Sequence, residues 1–306
     1  MTASYEARLL ELALADERLM VLTAENRAAI RGLPERLGSR FLDTGITEQA
    51  MIGIGAGLAL RGRIPVAHAL AAFLTMRAFE FIRTDVGIPG LPVKLVGAVP
   101  GILSEANGPT HQALEDVALM RGVPNLQVFC PADLDDLLIG LPAVIGDERP
   151  WYIRYTDRPA VVEHNPTFRP GEAELLMEGD DVAILVYGPL FQEAWQAARR
   201  LGETGVSVQL LNLRTLKPVD ETAILDAARR TRLLVTIEDH FLTGGLHSIV
   251  AELLLRHRLV IPTLPIAFDQ RWFTPALLPD VLRIEGLTAA SLAGRVMVHY
   301  QTLRAA

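Results

Sequence analysis

Short apolar runs alternate along the chain with segments whose apolar residues recur at helical spacing. This alternation is typical of parallel β-sheets flanked by helices. In the first half, the apolar runs that predict strands are residues 19–22, 64–67, 93–97, 126–129 and 151–154. The segments that predict helices are residues 52–60, 73–86, 112–121 and 133–145.

A polar stretch rich in turn-forming residues, from 157 to 171, indicates a linker. The alternation then resumes, with predicted strands at residues 182–186, 206–211 and 233–237 and predicted helices at residues 190–201, 219–229 and 244–256. We therefore expect an α/β protein of two consecutive domains, residues 1–165 and 172–306. Each should be a mostly parallel sheet flanked by helices.

The composition limits the possible classes of function. The chain has 306 residues and a formal net charge of −7, which argues against nucleic-acid binding because that requires a basic surface. Cys130 is the single cysteine, so an intrachain disulfide is impossible, as suits a reducing cytoplasm. Uncharged runs stay well short of the roughly 18 residues that span a membrane. The stretch beginning Met1-Thr2-Ala3 lacks the order of a signal peptide. We expect a cytoplasmic protein that binds neither nucleic acid nor membrane.

Glu48 is the first candidate for chemistry, because it stands alone at the start of an apolar helix. That helix contains Gly53, Gly55 and Gly57, each unfavourable by about 1 kcal/mol relative to alanine. Gly53 and Gly57 fall on one face, where another backbone could approach closely. A fully buried helix with one acid at its start indicates a site at a packed interface. The alternative is that Glu48 only complements the helix dipole.

His111 is the second candidate. Gly108 and Pro109 predict a turn, Thr110 would cap a helix, and His111 would be the first helical residue. The segment follows the carboxyl end of a predicted strand, the edge where open α/β sheets bind ligands. A helix N-terminus favours a neutral imidazole that can exchange protons near pH 7. The alternative is a surface histidine that supports the turn.

Together these segments resemble a known family. Gly45-Ile46-Thr47-Glu48-Gln49-Ala50-Met51, Gly108-Pro109-Thr110-His111-Gln112 and Arg77-Ala78-Phe79-Glu80 resemble the pyrimidine-binding domain of transketolases. Gly179-Asp180-Asp181-Val182-Ala183-Ile184-Leu185, Leu216-Lys217-Pro218-Val219-Asp220 and Glu238-Asp239-His240 with Gly244-Gly245-Leu246 resemble that family's C-terminal domain. The resemblance covers nearly the entire chain, in the family's order.

The resemblance implies thiamine diphosphate as the cofactor. Glu48 would be catalytic, because it matches the glutamate that hydrogen-bonds the N1′ nitrogen of the aminopyrimidine. A dry site must then offset the helix dipole so that the carboxyl group can share a proton. Phe73, Leu70 and Met76 would line the pyrimidine pocket. Leu70 and Met76 stand where the family has aromatics, so stacking of roughly 0.5–1.5 kcal/mol per aromatic pair is lost.

The resemblance also assigns substrate contacts. His111 would be catalytic by handling the protons of substrate hydroxyls, and Arg154 would contact a sugar phosphate. Asn107 occupies the position of a substrate-reading aspartate, and Val99 that of a phosphate-contacting histidine. These two departures indicate an altered substrate range.

Transketolases need a further domain that holds the diphosphate through Mg²⁺ or Ca²⁺. Its mark is Gly-Asp-Gly followed downstream by Asn, whereas Gly179-Asp180-Asp181 here opens a predicted strand. We assign no metal ligand to this chain and expect a partner subunit with the diphosphate-binding domain, self-association in an α2β2 assembly, and small sugar substrates. The expected reaction is transfer of a two-carbon ketol unit from a ketose to an aldose.

Two other interpretations remain open. The beta subunit of a 2-oxo acid dehydrogenase decarboxylase component has the same two-domain layout, but it lacks the motif of residues 108–112 in this form. A non-catalytic relative is the other alternative, against which Glu48 and His111 argue, although Asn107 leaves room for it. A single-chain 1-deoxyxylulose-phosphate synthase is disfavoured, because that enzyme carries its diphosphate domain in the same chain.

Overall fold

The computed structural model describes residues 4–305. Residues 1–3 and 306 lie outside the described residues. The ends of the two expected domains, and the start of the stretch that was expected not to be a signal peptide, therefore have no structural description. The helices are α1 (Tyr5–Ala15), α2 (Leu33–Leu37), α3 (Glu48–Leu60), α4 (Phe79–Phe81), α5 (Asp116–Arg121), α6 (Leu134–Gly146), α7 (Phe191–Glu203), α8 (Glu221–Arg230), α9 (Leu246–Arg256), α10 (Leu278–Ile284) and α11 (Ala289–Ala305). The strands are β1 (Leu19–Thr23), β2 (Phe41–Asp43), β3 (Ile64–Leu70), β4 (Lys94–Ala98), β5 (Gln127–Phe129), β6 (Trp151–Arg154), β7 (Glu174–Met177), β8 (Val182–Val186), β9 (Val208–Asn212), β10 (Thr215–Lys217), β11 (Leu233–Phe241) and β12 (Thr263–Phe268).

The first sheet has seven strands in the order β10-β5-β6-β4-β3-β1-β2. All neighbours are parallel except β10, which pairs antiparallel with β5. Alternate residues of its strands enter separate cores on the two faces: Trp151 and Ile153 of β6 face the core with α1 and α6, and Tyr152 faces the core with α3. Burial on both faces explains why these strands are continuous apolar runs.

The second sheet has five strands in the order β12-β11-β8-β9-β7, and only β7 is antiparallel to its neighbour. Ala183 and Leu185 of β8 belong to the same hydrophobic core as α3, whereas Val182, Ile184 and Val186 face a second core. One core therefore runs through both domains. The predicted α/β fold of two mostly parallel sheets flanked by helices is confirmed.

The element predictions differ from the structure mainly where elements are short or lie in the C-terminal domain. Strands β6 and β8 have the predicted bounds, whereas β2, β7, β10, β12 and helices α1, α2, α10 and α11 were not predicted. The helix predicted at 73–86 consists of two π-helical turns, Phe73–Arg77 and Ile82–Gly87, on either side of α4. Within residues 4–305, every helix is too short or too polar to cross a membrane.

A buried histidine joins the linker to both domains. His164 Nε2 lies 2.8 Å from Asp133 Oδ2 at the start of α6, and Nδ1 lies 2.8 Å from Glu174 Oε2 of β7. Because both partners are carboxylates, both ring nitrogens donate, and the imidazole is charged. Burial lowers the pKa of His164, but the hydrogen bonds to Asp133 and Glu174 outweigh it and raise this pKa to about 10.

We predict that His164→Gln lowers the free energy of unfolding by about 3 kcal/mol near neutral pH, because two buried carboxylates lose their shared cation. Because the pKa of His164 is raised, the extra stability of wild type over the variant is complete below the unfolded-state pKa of about 6.5 and declines as the pH rises towards 10. Urea denaturation of both proteins at pH 6, 8 and 9.5 measures this difference in the free energy of unfolding. His257→Gln, at an exposed histidine, should change little. An advantage that grows with pH contradicts the charged-imidazole interpretation.

Candidate functional site

A cleft opens at the carboxyl ends of β1 and β3. The chain leaves β1 for β2 on one side and returns to β3 on the other, and such a reversal point is where open α/β sheets bind ligands. The cleft has a volume of about 240 Å³. Its lining residues are Ala24, Glu25, Asn26, Ile46, Glu48, Leu70 and Phe73. The topology thus brings Glu48, Leu70 and Phe73 to one place.

Glu48 is the buried acid of this cleft. It is the first residue of α3, its side chain is 3% exposed, and its Oε2 accepts a hydrogen bond of 2.8 Å from Arg77 Nη1. The Arg77 side chain is 41% exposed, and its guanidinium lies over the Phe73 ring, 4.4 Å from the centroid. One carboxylate oxygen is therefore fixed by a cation that reaches in from solvent.

Helix α3 is buried on one face only, contrary to the expectation of a fully buried helix. Met51, Ile52 and Ala56 pack in the core, whereas Ile54 and Leu60 are exposed by 39% and 71%. The chain itself covers one side of the helix, because only that side meets the sheet. The other side is an apolar surface.

Phe73, Met76 and His111 form a second group beside the cleft. The ring of His111 lies edge-on to Phe73, with centroids 5.0 Å apart. Phe73 and Met76 pack against a small core of alanines, which consists of Ala71, Ala72 and Ala113. Met76 is not among the residues that line the cleft, and it packs against the same alanines as Phe73.

The prediction that Thr110 caps a helix beginning at His111 is wrong. His111 ends a short 3-10 turn, Gln112 is extended, and α5 begins only at Asp116. The intervening carbonyls bond elsewhere: Ala113 accepts from the Gly101 amide, and Leu114 accepts from the Phe241 amide. Tertiary hydrogen bonds replace the helical ones, so the argument from a helix N-terminus no longer applies to His111.

A second cleft of about 330 Å³ adjoins the first. Asn26 lines both, and Val99, Glu105 and Arg158 line only the second. Among the described residues, the buried Nδ2 of Asn26 has no hydrogen-bond partner. Asn107 lies in the same loop as His111 but is exposed, and its Nδ2 donates to the Ser104 carbonyl. An unpaired amide donor therefore lies where the two clefts meet.

Arg154, which was expected to contact a sugar phosphate, lies buried between the two domains. Arg154 is 1% exposed and lines neither cleft. Its Nε lies 2.8 Å from Asp116 Oδ2 and its Nη1 lies 2.7 Å from Asp239 Oδ1. In this chain the guanidinium is paired with two buried carboxylates, so it has a structural role, and its contact with a sugar phosphate stays a prediction.

Sequence reasoning missed the roles of Arg77 and Asn26. Arg77 belongs to a recognised motif, but its partner Glu48 is 29 residues away in sequence. Asn26 is the third residue after the end of β1, so the rule that ligands bind beyond the carboxyl ends of parallel strands could have identified it. Within residues 4–305, no three His, Cys, Asp or Glu side chains are grouped to hold a metal ion.

Comparisons with known proteins agree with this architecture. Residues 1–160 match the family described as "Transketolase, pyrimidine binding domain", and residues 171–292 match "Transketolase, C-terminal domain". The chain is 40% identical over 255 residues to the 6-deoxy-6-sulfo-D-fructose transketolase subunit SqwH of Clostridium sp., covering 82% of this chain and 79% of that protein. It is 36% identical over 301 residues to the 1-deoxy-D-xylulose-5-phosphate synthase of Thermomicrobium roseum, covering 96% of this chain and 48% of that enzyme.

Solved structures show the same fold. One described as "Split gene transketolase, inactive beta4 tetramer" superposes with a TM-score of 0.87 at 34% identity and covers 97% of both chains. Transketolase from Pichia stipitis superposes with a TM-score of 0.78 at 16% identity, over 97% of this chain and 45% of that one. The second likeness concerns the fold alone.

We predict that Arg154→Met lowers the free energy of unfolding by about 3–5 kcal/mol, because it leaves Asp116 and Asp239 buried without their cation. Urea denaturation of the chain alone measures the loss. Arg229→Met removes an exposed arginine paired with Asp226 at 3.2 Å and should cost less than about 1 kcal/mol. Unchanged stability of Arg154→Met would contradict the structural role of this ion pair.

Proposed function

Because the chain belongs to the transketolase family, we propose that it is the pyrimidine-binding and C-terminal subunit of a two-component enzyme that depends on thiamine diphosphate. The enzyme transfers a two-carbon ketol unit from a ketose to an aldose. The observation that carries the proposal is Glu48, a buried carboxylate in an otherwise largely apolar cleft at the reversal point of the sheet.

The cleft fits the aminopyrimidine of thiamine diphosphate. Ile46, Leu70 and Phe73 provide apolar walls for a planar ring, and Glu48 provides the hydrogen-bond partner that a ring nitrogen needs. The unpaired Nδ2 of Asn26 is a further donor at the inner end of the same space. When bound, the cofactor supplies an electron sink for cleavage of a carbon–carbon bond.

The residues of the chain would handle protons and exclude water. Arg77 holds one oxygen of Glu48 in place, and the other oxygen would hold or release the proton that a ring nitrogen of the cofactor needs. His111, edge-on to Phe73, would accept or return the proton of a substrate hydroxyl, and the exposed Asn107 of the same loop would hydrogen-bond a sugar hydroxyl. Proton transfer by positioned groups contributes typically 10²–10⁴-fold to a rate.

We propose that a partner subunit completes the site by holding the diphosphate through Mg²⁺ or Ca²⁺ in a domain marked by Gly-Asp-Gly. The exposed apolar face of α3, with Ile46 just before it and Ile54 and Leu60 on it, is the surface we assign to subunit contacts in an α2β2 assembly. Support comes from the relatives, one named a transketolase subunit and one described as the product of a split gene. We place the enzyme in the cytoplasm.

The donor sugar is open within this proposal. One relative is named for 6-deoxy-6-sulfo-D-fructose, so a ketose with an anionic group at its far end, sulfonate or phosphate, is the donor class to test first. A second candidate reaction follows from the likeness to 1-deoxy-D-xylulose-5-phosphate synthase. A 1-deoxy sugar has a methyl ketone end, which requires an acetyl unit from a donor such as a 2-oxo acid.

We predict that the chain alone neither binds thiamine diphosphate tightly nor turns over ketoses, and that activity appears on mixing with the Gly-Asp-Gly partner. The assay panel is 6-deoxy-6-sulfofructose, fructose 6-phosphate and xylulose 5-phosphate, with pyruvate as the 2-oxo acid. In the mixture, Glu48→Gln should lower kcat by at least about 10²-fold and slow exchange of the thiazolium proton with deuterium. Glu35→Gln, at an exposed position, is the control. Robust turnover by the chain alone contradicts the split architecture.

A second prediction concerns the face of α3. Among the described residues, no atom apart from the neighbouring residues and the backbone of the same helix lies within 4 Å of a Cβ placed at Gly57 or at Gly202 of α7. Gly57→Leu and Gly202→Leu should therefore both leave the isolated chain at least as stable as wild type, with a gain of up to about 1 kcal/mol from helix propensity. Only Gly57→Leu should prevent assembly with the partner, as measured by sedimentation. Normal assembly of Gly57→Leu contradicts the assignment of this surface.

A further inference from the structure

The loop that carries the proposed substrate residues has an unfavourable backbone conformation. We call residues 99–115 the His111 loop. Val99, Gly101 and Glu105 have φ values of +56°, +54° and +49°. Left-handed φ is costly for residues with a Cβ and most of all for a β-branched residue such as Val99. Such conformations persist only where the surroundings impose them.

Three hydrogen bonds tie this loop to the C-terminal domain. At the start of the loop, the Ile102 amide donates to Asp239 Oδ2 at 3.3 Å. In the middle, the Leu278 amide donates to Glu105 Oε1 at 3.3 Å. At the end, the Phe241 amide donates to the Leu114 carbonyl at 2.7 Å. The loop is therefore fixed along its length by β11 and by the start of α10.

Gln112 connects this arrangement directly to His111. It is fully buried, its Nε2 donates to the Phe273 carbonyl of the C-terminal domain at 2.9 Å, and its Oε1 has no partner among the described residues. Its backbone is extended rather than helical. Because the side chain of Gln112 is fixed in the C-terminal domain, the preceding residue, His111, is held against Phe73.

We propose that the C-terminal domain is the positioning element of the His111 loop, acting through Gln112 on the Phe273 carbonyl and through Glu105 on the Leu278 amide. The consequence for catalysis rests on the proposed function, whereas the effect on the loop does not. Gln112 and Glu105 are positioning residues, since they act on the site through His111 and the loop backbone.

Amide hydrogen exchange of the full chain, followed by mass spectrometry, tests the proposal without any partner. Gln112→Met keeps the length of the side chain but removes the donor, so exchange in peptides covering residues 101–115 should accelerate about fivefold, as expected for the loss of one hydrogen bond. Gln209→Met is the matched control, because Gln209 is a buried glutamine of β9 that does not contact the loop. Equal exchange of the loop in Gln112→Met and wild type overturns the proposal.

A second pair of variants covers the case in which Gln112→Met fails to fold. Glu105→Gln keeps an Oε1 acceptor for the Leu278 amide, whereas Glu105→Ala removes it. Glu105→Ala should accelerate exchange in the loop about fivefold, and Glu105→Gln should match wild type. The same exchange in both variants contradicts a positioning role for this contact.

In the assembled enzyme, Gln112→Met should lower kcat by about tenfold. The affinity for thiamine diphosphate should be unchanged, since the cleft that contains Glu48 stays intact. Faster loop exchange without activity from any partner would remove the proposed function but keep the positioning role. If the assembled enzyme is active and Gln112→Met changes neither the loop exchange nor kcat, the positioning role is wrong and the proposed function is kept.

Discussion

The ion triad of Asp116, Arg154 and Asp239 is the constraint on which the rest of the structure depends. Arg154 ends β6 of the first sheet, and Asp239 lies in β11 of the second, so the carboxyl ends of the two sheets are held to one another. All three side chains are essentially excluded from water, and a buried charge without its partner is strongly unfavourable. The triad also sets the path of the His111 loop, because a Cβ at Gly101 would lie 1.8 Å from Asp239 Oδ2.

Two histidines at the domain junction respond to pH in opposite directions. His240 Nδ1 donates to the Phe241 carbonyl and its Nε2 accepts from the Ala118 amide at 3.2 Å, so the ring must be neutral, and burial lowers its pKa to about 4. The contribution of neutral His240 to folding stability is complete above the unfolded-state pKa of about 6.5 and is lost as the pH falls through 4. His164, held charged by Asp133 and Glu174, contributes fully below that value. Together they favour the docked domains most near pH 6.5.

The sequence allowed the core strands to be predicted, but not the contacts between distant segments. Apolar runs such as 151–154 and 182–186 mark strands buried on both faces. A three-residue strand such as β2 or β10 is too short to show a hydrophobic pattern from which it could be predicted. In addition, β10 pairs with a strand of the other domain. Glu48 and Phe73 were placed by motif and share one cleft. The structural role of Arg154 could not be predicted, because the sequence does not show that Asp239, 85 residues away, is its partner.

The glycines of α3 are the feature that the chain itself does not explain. All three have negative φ, so none is required by the backbone. A Cβ at Gly55 would meet Pro65 and Val93 at ordinary contact distances of 3.7 and 3.8 Å, and among the described residues nothing lies within 4 Å of one at Gly53 or Gly57. Each glycine nevertheless destabilises the helix by about 1 kcal/mol relative to alanine. Alanine would fit every one of these positions in the isolated chain, so the constraint that explains glycine must come from outside it. That constraint acts on the helix that begins with Glu48, which ties the geometry of the cleft to whatever backbone packs against this face.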